Sequence, residues 1–343
     1  MLIIALCLAI YAVALGVETA RDTLRSLPRS NQDWVWYCGN HVTSTPAPTT
    51  YYGASRLMRA MRFGLGASQR LWPALGVRAA YRVFGTPLPP KWLYRGQHPG
   101  IDWRHEAWSF EDASVGIYHL AAQDSGAESA PVALLVHGWG GHAGQMLPLA
   151  QALAAAGLRP VLLELPAHGR SEGMATNGAQ FARAIDYVTA RLAADGRALR
   201  AVVAHSLGAN ALAYAAGRGL PAERIVLLAP PASPREYTRY FAHAFGLSEQ
   251  TRAAMQRMFE AREGVLMPQF EPALAGPRIA QPTLIVHDRD DRVNRFADGE
   301  AYRDTIAGAQ LFVTQGWGHR RILKEEAVLA QVTQFLVQPS AVM

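Results

Sequence analysis

The stretch that most constrains the fold is Ala201–Gly208, which reads AVVAHSLG. An apolar run with two β-branched residues leads directly into a small-x-Ser-x-Gly turn, and an Ala-rich helical stretch follows. A strand, a tight turn and a helix in immediate succession predict an α/β chain, and a serine in such a turn, here Ser206, is typical of a nucleophile elbow. Ala204 and Gly208 are small where the two backbones would nearly touch. An ordinary turn with a capping serine is the alternative.

Composition excludes several classes of protein. The chain has 343 residues, of which 50% are hydrophobic and 17% are charged. A chain of this length and composition can bury one large hydrophobic core or two modest ones. The net charge of +6 comes without a Lys/Arg-rich block, so we expect no nucleic-acid partner. Cys7 and Cys38 form no disulfide or metal framework, and no zinc or nucleotide motif is present in the sequence. We therefore expect neither a metal nor a cofactor.

The N-terminus predicts a membrane anchor over residues 1–25. Met1–Val17 contains no charged residue, and its length is close to the minimum for a helix that spans a bilayer. It lacks the early basic residue and the cleavage site of a signal peptide, so an uncleaved helix is expected. The arginines that follow it, Arg21, Arg25 and Arg29, predict a cytoplasmic catalytic domain. The alternatives are a buried core helix and export of the domain.

Residues 26–102 are predicted to form a basic, aromatic-rich helical extension. No Asp or Glu occurs between Asp33 and Asp102, whereas that interval carries Arg56, Arg59, Arg62, Arg70, Arg78, Arg82, Lys91 and Arg95. Because these basic residues alternate with apolar and aromatic ones at helical spacing, the segment is expected to contact an anionic membrane surface. A solvated helical face that packs on the rest of the protein is the alternative.

Strand and helix patterns alternate with short connections over residues 103–343. This alternation predicts one α/β domain with a mostly parallel sheet and helices on both faces. An insertion at about 232–277 is rich in Phe, Tyr and Met and predicts a short helical cap. Its apolar residues could line an acyl pocket or pack as the core of two amphipathic helices. Functional side chains of such a sheet are expected at the carboxyl ends of its strands.

Two loops at these strand ends suggest a site for a developing negative charge. One strand ends in the glycine-rich loop His137–Gly141, and another ends beside Ser206. An oxyanion hole needs two backbone N–H donors, which we assign to Trp139 and to Leu207. A plain turn is the alternative for the glycine-rich loop. A further strand lies between these two in the sequence, and His168 follows its end. We expect His168 to have a structural role and not a catalytic one.

The last two strands supply a carboxylate and an imidazole. One ends in His287-Asp288-Arg289-Asp290-Asp291, and the final one ends in a Gly-rich loop with His319. A hydroxyl, an imidazole and a carboxylate from three loops form a catalytic triad in the order Ser206, Asp291, His319. From the residues alone, Asp290 and Asp288 are alternatives for the acid.

The chain resembles the α/β-hydrolase superfamily, including its monoacylglycerol-lipase-like and serine-aminopeptidase-like groups. The resemblance runs from about Trp103 to the C-terminus and is carried by LLVHGWGG, LELPAHGRSEG, VVAHSLGAN, PTLIVHDRDDRV and GWGHRRIL. Such families place the acid four residues after the histidine that ends the seventh strand, which implies Asp291, with His287 behind it. The chain departs from them at Ala204 and at Asp288, where Gly is commoner.

The resemblance implies that Ser206 attacks the carbonyl of a small-molecule acyl ester or thioester and that the acyl group is transferred to water. Other functions on the same fold remain as alternatives. One is a non-catalytic binding protein on the same fold, and another is an aminopeptidase or acyltransferase. Glu260 and Glu263 in the predicted cap are the carboxylates whose spacing would suit recognition of a free amine.

Overall fold

The computed structural model describes residues 56–88, 91, 99–100, 102–120 and 130–338. The chain divides into two compact units. Among the described residues, 56–84 and 235–262 belong to a helical unit, and the remainder belongs to a sheet unit. The predicted anchor helix, Met1–Val17, lies outside the described residues.

The sheet unit is built on one eight-stranded sheet with the spatial order β1-β2-β4-β3-β5-β6-β7-β8. The strands are β1 (Trp103–Phe110), β2 (Ala113–Leu120), β3 (Val132–Val136), β4 (Arg159–Glu164), β5 (Leu199–His205), β6 (Arg224–Leu228), β7 (Thr283–Asp288) and β8 (Gln310–Thr314). β2 pairs antiparallel with β1 and β4, and the other neighbours pair in parallel. The predicted α/β fold with a mostly parallel sheet is thus confirmed.

Helices connect the strands and fill the insertion after β6. In chain order they are α1 (Arg56–Leu71), α2 (Pro73–Phe84), α3 (Leu147–Ala155), α4 (Gly178–Ala194), α5 (Leu207–Ala216), α6 (Pro234–Phe245), α7 (Glu249–Glu263), α8 (Pro272–Ala275), α9 (Phe296–Thr305), α10 (Gly318–Arg321) and α11 (Glu326–Val337). Short 3₁₀ turns occur at Ala143–Met146, Met267–Phe270, Gly276–Arg278 and Ile322–Lys324. None of the helices in the described part of the chain combines the length and the apolar character needed to cross a membrane.

The central strands read as continuous apolar runs because they are buried on both faces. All five residues of β3 and of β6 are buried, as are all six of β7. A parallel strand covered by helices needs apolar side chains at every position, which is why alternation is absent here. Polar residues therefore begin where the strands end, and parallel neighbours bring those ends to one edge of the sheet.

The helical unit joins α1 and α2 to most of the insertion. Leu65 of α1 and Ala80 of α2 are buried in one cluster with Phe241, Phe245 and Met255. The Gln69 side chain accepts hydrogen bonds from the Ser248 amide and the Thr251 hydroxyl, both at 2.9 Å. These three insertion side chains thus pack as core, which is one of the two alternatives that the sequence left open.

Candidate active site

Ser206 lies on a strained turn between β5 and α5. Its backbone has φ 55° and ψ −129°, a region that non-glycine residues rarely occupy. The Ser206 amide donates a 2.8 Å hydrogen bond to the carbonyl of Leu228, which fixes the turn to the end of β6. A Cβ atom at Gly208 would lie 2.3 Å from the carbonyl oxygen of His137, so the helix can approach β3 only with glycine there. The tight packing holds Ser206 in its strained conformation.

Ser206, His319 and Asp291 form a continuous hydrogen-bonded chain. His319 Nε2 lies 2.9 Å from Ser206 Oγ, and His319 Nδ1 lies 2.7 Å from Asp291 Oδ2. A carboxylate can only accept, so the neutral imidazole carries its proton on Nδ1 and its Nε2 accepts from the serine hydroxyl. This is the tautomer that a general base beside a nucleophile requires.

The Asp291 carboxylate is buried and held by its own loop. Its Oδ1 accepts from the backbone amides of Val293 and Asn294 at 2.7 and 2.9 Å. Burial opposes ionisation, but His319 and His287 outweigh it and hold the pKa of this carboxyl well below its usual range. His287 Nε2 lies 3.5 Å from Asp291 Oδ2. Asp291 is therefore an anion at neutral pH, as the orientation of His319 requires.

The other two carboxylates of this loop take different partners. Asp288 is buried and accepts from the Thr314 hydroxyl at 2.7 Å and from the Trp317 amide at 3.1 Å. Asp290 accepts from the Gly316 amide at 3.0 Å. Both side chains thus bind the segment that leads from β8 to His319, and the carboxylate in contact with the imidazole is that of Asp291.

The glycine-rich loop after β3 is anchored by two buried histidines. His168 donates from Nδ1 to the carbonyl of Pro166 and accepts from the Gly140 amide on Nε2, both at 2.9 Å. Burial lowers the pKa of His168 to about 4, so it accepts as a neutral ring. His137 accepts from the Leu165 amide on Nε2 at 3.1 Å. Neither ring contacts Ser206 by a hydrogen bond in the described part of the chain, and their role is to shape the loop.

The same loop lies directly against the serine. A Cβ atom at Gly138 would come within 2.7 Å of Ser206 Cβ. The backbone amides of Trp139 and Leu207, which we assigned to an oxyanion hole, donate no hydrogen bond within the described residues. The Trp139 ring is half-buried and packs on His168 and Phe181. The oxyanion-hole role of these two amides stays a prediction.

Two residues near the triad were not singled out by the sequence. His205 Nε2 donates to the carbonyl of His319 at 2.9 Å, and the two rings lie 4.6 Å apart. Asn294 donates to the carbonyl of Ala229 at 2.6 Å and lies 3.5 Å from Ser206 Oγ. Their positions in the sequence were the available signal. His205 directly precedes Ser206, and Asn294 follows Asp291 by three positions.

Glu263, one of the two carboxylates considered for amine recognition, is already paired. It accepts from Arg183 Nη1 and from Asn177 Nδ2, both at 2.8 Å, and its side chain is only 4% exposed. A buried carboxylate saturated by a guanidinium and an amide has no exposed oxygen for a free amine. Within the described ranges, no cluster of three or more His, Cys, Asp or Glu side chains could hold a metal ion.

A sequence model described as the alpha/beta hydrolase family matches residues 133–332, which is more than half of the chain. The fold and the position of Ser206 at a strand-to-helix turn agree with that match. The chain therefore belongs to the alpha/beta hydrolase family. No curated protein matches the sequence at a significant level.

Three solved structures share this fold at low sequence identity. The Pyrococcus furiosus esterase Pf2001 is 17% identical with a TM-score of 0.52, over 68% of this chain and 91% of that one. A membrane phospholipase A described as a bacterial virulence factor is 20% identical with a TM-score of 0.51, over 80% of this chain and 97% of that one. The serine hydrolase CCSP0084 of Cycloclasticus zankles is 16% identical with a TM-score of 0.51, over 68% of this chain and 97% of that one. At these identities the likeness concerns the fold.

Proposed function

We propose that this protein hydrolyses carboxylic esters or thioesters through an acyl-enzyme on Ser206. The observation that carries the proposal is the unbroken hydrogen-bonded chain from Ser206 Oγ through His319 to Asp291. A serine hydroxyl is a weak nucleophile unless a neutral base accepts its proton as it attacks. The three side chains meet that requirement with a buried anion behind the base.

In the first half of the reaction, Ser206 Oγ attacks the carbonyl carbon while its proton passes to His319 Nε2. The imidazolium that forms is stabilised by Asp291. The amides of Trp139 and Leu207 bind the oxyanion of the tetrahedral intermediate. The intermediate collapses when the bond to the alcohol or thiol breaks, and His319 returns the proton to that leaving group.

In the second half, a water molecule attacks the acyl-enzyme. His319 Nε2 takes a proton from the water, the tetrahedral intermediate forms again, and the proton returns to Ser206 Oγ as the acid is released. Each cycle therefore consumes one ester and one water and restores the free serine. Neither a metal nor an organic cofactor is required at any step of this proposal.

The test compares the full chain with Ser206→Ala, using p-nitrophenyl esters from acetate to palmitate and a fluorophosphonate probe. Turnover and labelling by the parent protein, both lost in Ser206→Ala with a melting temperature within a few degrees, are the expected result. Activity that persists in the variant would remove Ser206 from the mechanism. Absence of both turnover and labelling in the folded parent would favour a binding protein on this fold.

We further propose that the enzyme is held at a membrane, with an acyl ester of the bilayer or its surface as substrate. Support comes from the uncharged run Met1–Val17 and the arginines that follow it. A phospholipid is a suitable first lipid to assay, since one structure of similar fold is that of a membrane phospholipase A. In this proposal the catalytic domain faces the cytoplasm.

Removal of residues 1–20 tests this anchor. The full chain should pellet with membranes after a carbonate wash, and the truncated chain should be released. A reporter fused at the C-terminus distinguishes the cytoplasmic domain from an exported one. A full chain that washes off the membranes would refute an integral anchor.

A further inference from the structure

The helical unit buries one side of α1 and α2 and leaves an apolar surface on the other. Leu65 and Ala80 are directed into the cluster with the insertion helices. Four large apolar side chains remain outside it, namely Phe63, Leu71, Trp72 and Leu75, with exposures of 79, 64, 61 and 42%. Helices normally expose a polar face when they pack on a core. Apolar residues concentrated within 63–75 therefore need a separate explanation.

Arginines flank these four side chains. Arg59 and Arg70 share the exposed side of α1 with Phe63, since the spacings of four and seven residues return to one side of a helix. On α2, Leu75 and Arg78 share a side by the same reasoning. All three arginines are exposed. We call Phe63, Leu71, Trp72 and Leu75, together with Arg59, Arg70 and Arg78, the basic-aromatic surface.

The local charge selects the kind of partner. No acidic residue occurs between Asp33 and Asp102, so the arginines meet no carboxylate from their own helices. A second copy docked through the same surface would bring arginine against arginine. The preceding segment, residues 1–55, contains three acids, Glu18, Asp22 and Asp33, against Arg21, Arg25 and Arg29, and thus has no surplus negative charge. The surplus of positive charge on α1 and α2 is therefore suited to an anionic partner.

We infer that the basic-aromatic surface docks on the headgroup layer of an anionic phospholipid bilayer. Trp, Phe and Leu side chains enter the boundary between headgroups and acyl chains, while guanidinium groups pair with lipid phosphates. A bilayer supplies both partners over an extended area, which suits apolar and basic residues mixed along two helices. This inference builds on the proposed membrane association and adds a second contact, independent of Met1–Val17 and of the ester chemistry.

An environment-sensitive fluorophore at Leu71 tests the inference in the full chain. Cys7→Ser and Cys38→Ser remove the native thiols, and Leu71→Cys carries an NBD label. The protein is reconstituted into vesicles of phosphatidylcholine alone or with added phosphatidylglycerol. Because an N-terminal anchor would insert into both kinds of vesicle, any difference between them reports docking rather than anchoring.

The expected result is a blue-shifted and brighter NBD emission in the phosphatidylglycerol vesicles, which reverses as salt is raised. Addition of Arg70→Gln and Arg78→Gln should increase the phosphatidylglycerol content needed for the change. The matched control is a label at Leu274→Cys, an exposed leucine of the sheet unit (47%), which should not respond. Hydrolysis of p-nitrophenyl acetate should be unchanged by the arginine substitutions.

Several outcomes would overturn the inference. Identical emission in both kinds of vesicle would show that the surface does not recognise anionic lipid. A label that is shielded from an aqueous quencher in the phosphatidylcholine vesicles would show that another part of the chain already covers Leu71. A shift that depends on protein concentration would assign the surface to a second copy. Because none of these readouts requires turnover, they are distinguishable from failure of the proposed ester hydrolysis.

Discussion

Asp291 Oδ2 lies 2.7 Å from His319 Nδ1, although the two residues are 28 positions apart. The same carboxylate receives two backbone amides of its own loop on Oδ1. One oxygen thus fixes the loop and the other fixes the imidazole. This division explains how a single carboxylate can be held rigidly and still orient the imidazole of His319.

Asp291→Asn should reduce kcat by about 10⁴-fold if the carboxylate sets the tautomer of His319. An amide can donate to Nδ1, which would leave the proton on Nε2 and block acceptance from Ser206. Asp290→Asn is the matched control, because Asp290 binds the Gly316 amide and not the imidazole. Steady-state kinetics on one p-nitrophenyl ester decides the assignment. A loss that appears in Asp290→Asn and not in Asp291→Asn would move the acid to Asp290.

His205→Phe tests whether His205 positions His319, the proposed base. The variant keeps a ring beside His319 but removes the donor to the His319 carbonyl. Loss of one buried hydrogen bond should lower kcat/KM about tenfold. His205→Gln, which retains an N–H donor, should recover part of that loss. If both variants lose activity equally while their unfolding midpoints fall together, the contribution of His205 is to stability.

Gly138→Ala should impair the site through the Ser206 side chain. The added methyl group would lie 2.7 Å from Ser206 Cβ, a distance that such carbons do not tolerate. Either the serine or the loop must move, and a displacement near 1 Å can cost about 10²-fold in rate. Gly66→Ala in α1 is the control, since nothing lies within 4 Å of its Cβ position. Fluorophosphonate labelling rates and thermal midpoints of both variants separate a local effect from general unfolding.

Asp288 should make the protein less stable in acid. Burial opposes its ionisation, but hydrogen bonds from Thr314, Gly318 and Trp317 prevail and lower the pKa of this carboxyl. The unfolded chain then binds more protons than the native one as the pH falls below about 5, so stability is lost with a slope of up to about 1.4 kcal/mol per pH unit. The free energy of unfolding of the parent protein should therefore decrease between about pH 5 and pH 3.

Urea unfolding of Asp288→Asn checks this prediction. The variant should be less stable than the parent at pH 7 by about 1–3 kcal/mol, and the difference should shrink as the pH falls, because only the parent takes up the proton. Asp304→Asn, at an aspartate of α9 whose side chain is 61% exposed, is the control for replacing an aspartate away from the site. A constant difference between parent and Asp288→Asn across the pH range would contradict the assignment.

Much of the fold follows from local sequence pattern. The strand-turn-helix at Ala201–Gly208 can be predicted because each of its parts depends only on neighbouring residues. These parts are an apolar β-branched run, a turn of small residues and an Ala-rich run. The structure places β5 and α5 on either side of Ser206, as that pattern predicts. The alternation of strand and helix was sufficient to predict the mostly parallel sheet, because short connections permit few chain topologies.

Other features depend on contacts that no local pattern encodes. The local residue pattern left Asp288, Asp290 and Asp291 open as the acid, and the family resemblance implied Asp291. The hydrogen bonds across the sheet edge show that the three carboxylates take different partners. Pairing of α1 and α2 with the insertion joins segments more than 150 positions apart, as in the bond from Arg62 to the carbonyl of Ala244. The sequence by itself determined the elements and the residue types of the site. Tertiary packing decided which carboxylate faces His319 and which apolar side chains of α1 and α2 remain exposed, because both depend on the geometry of distant neighbours.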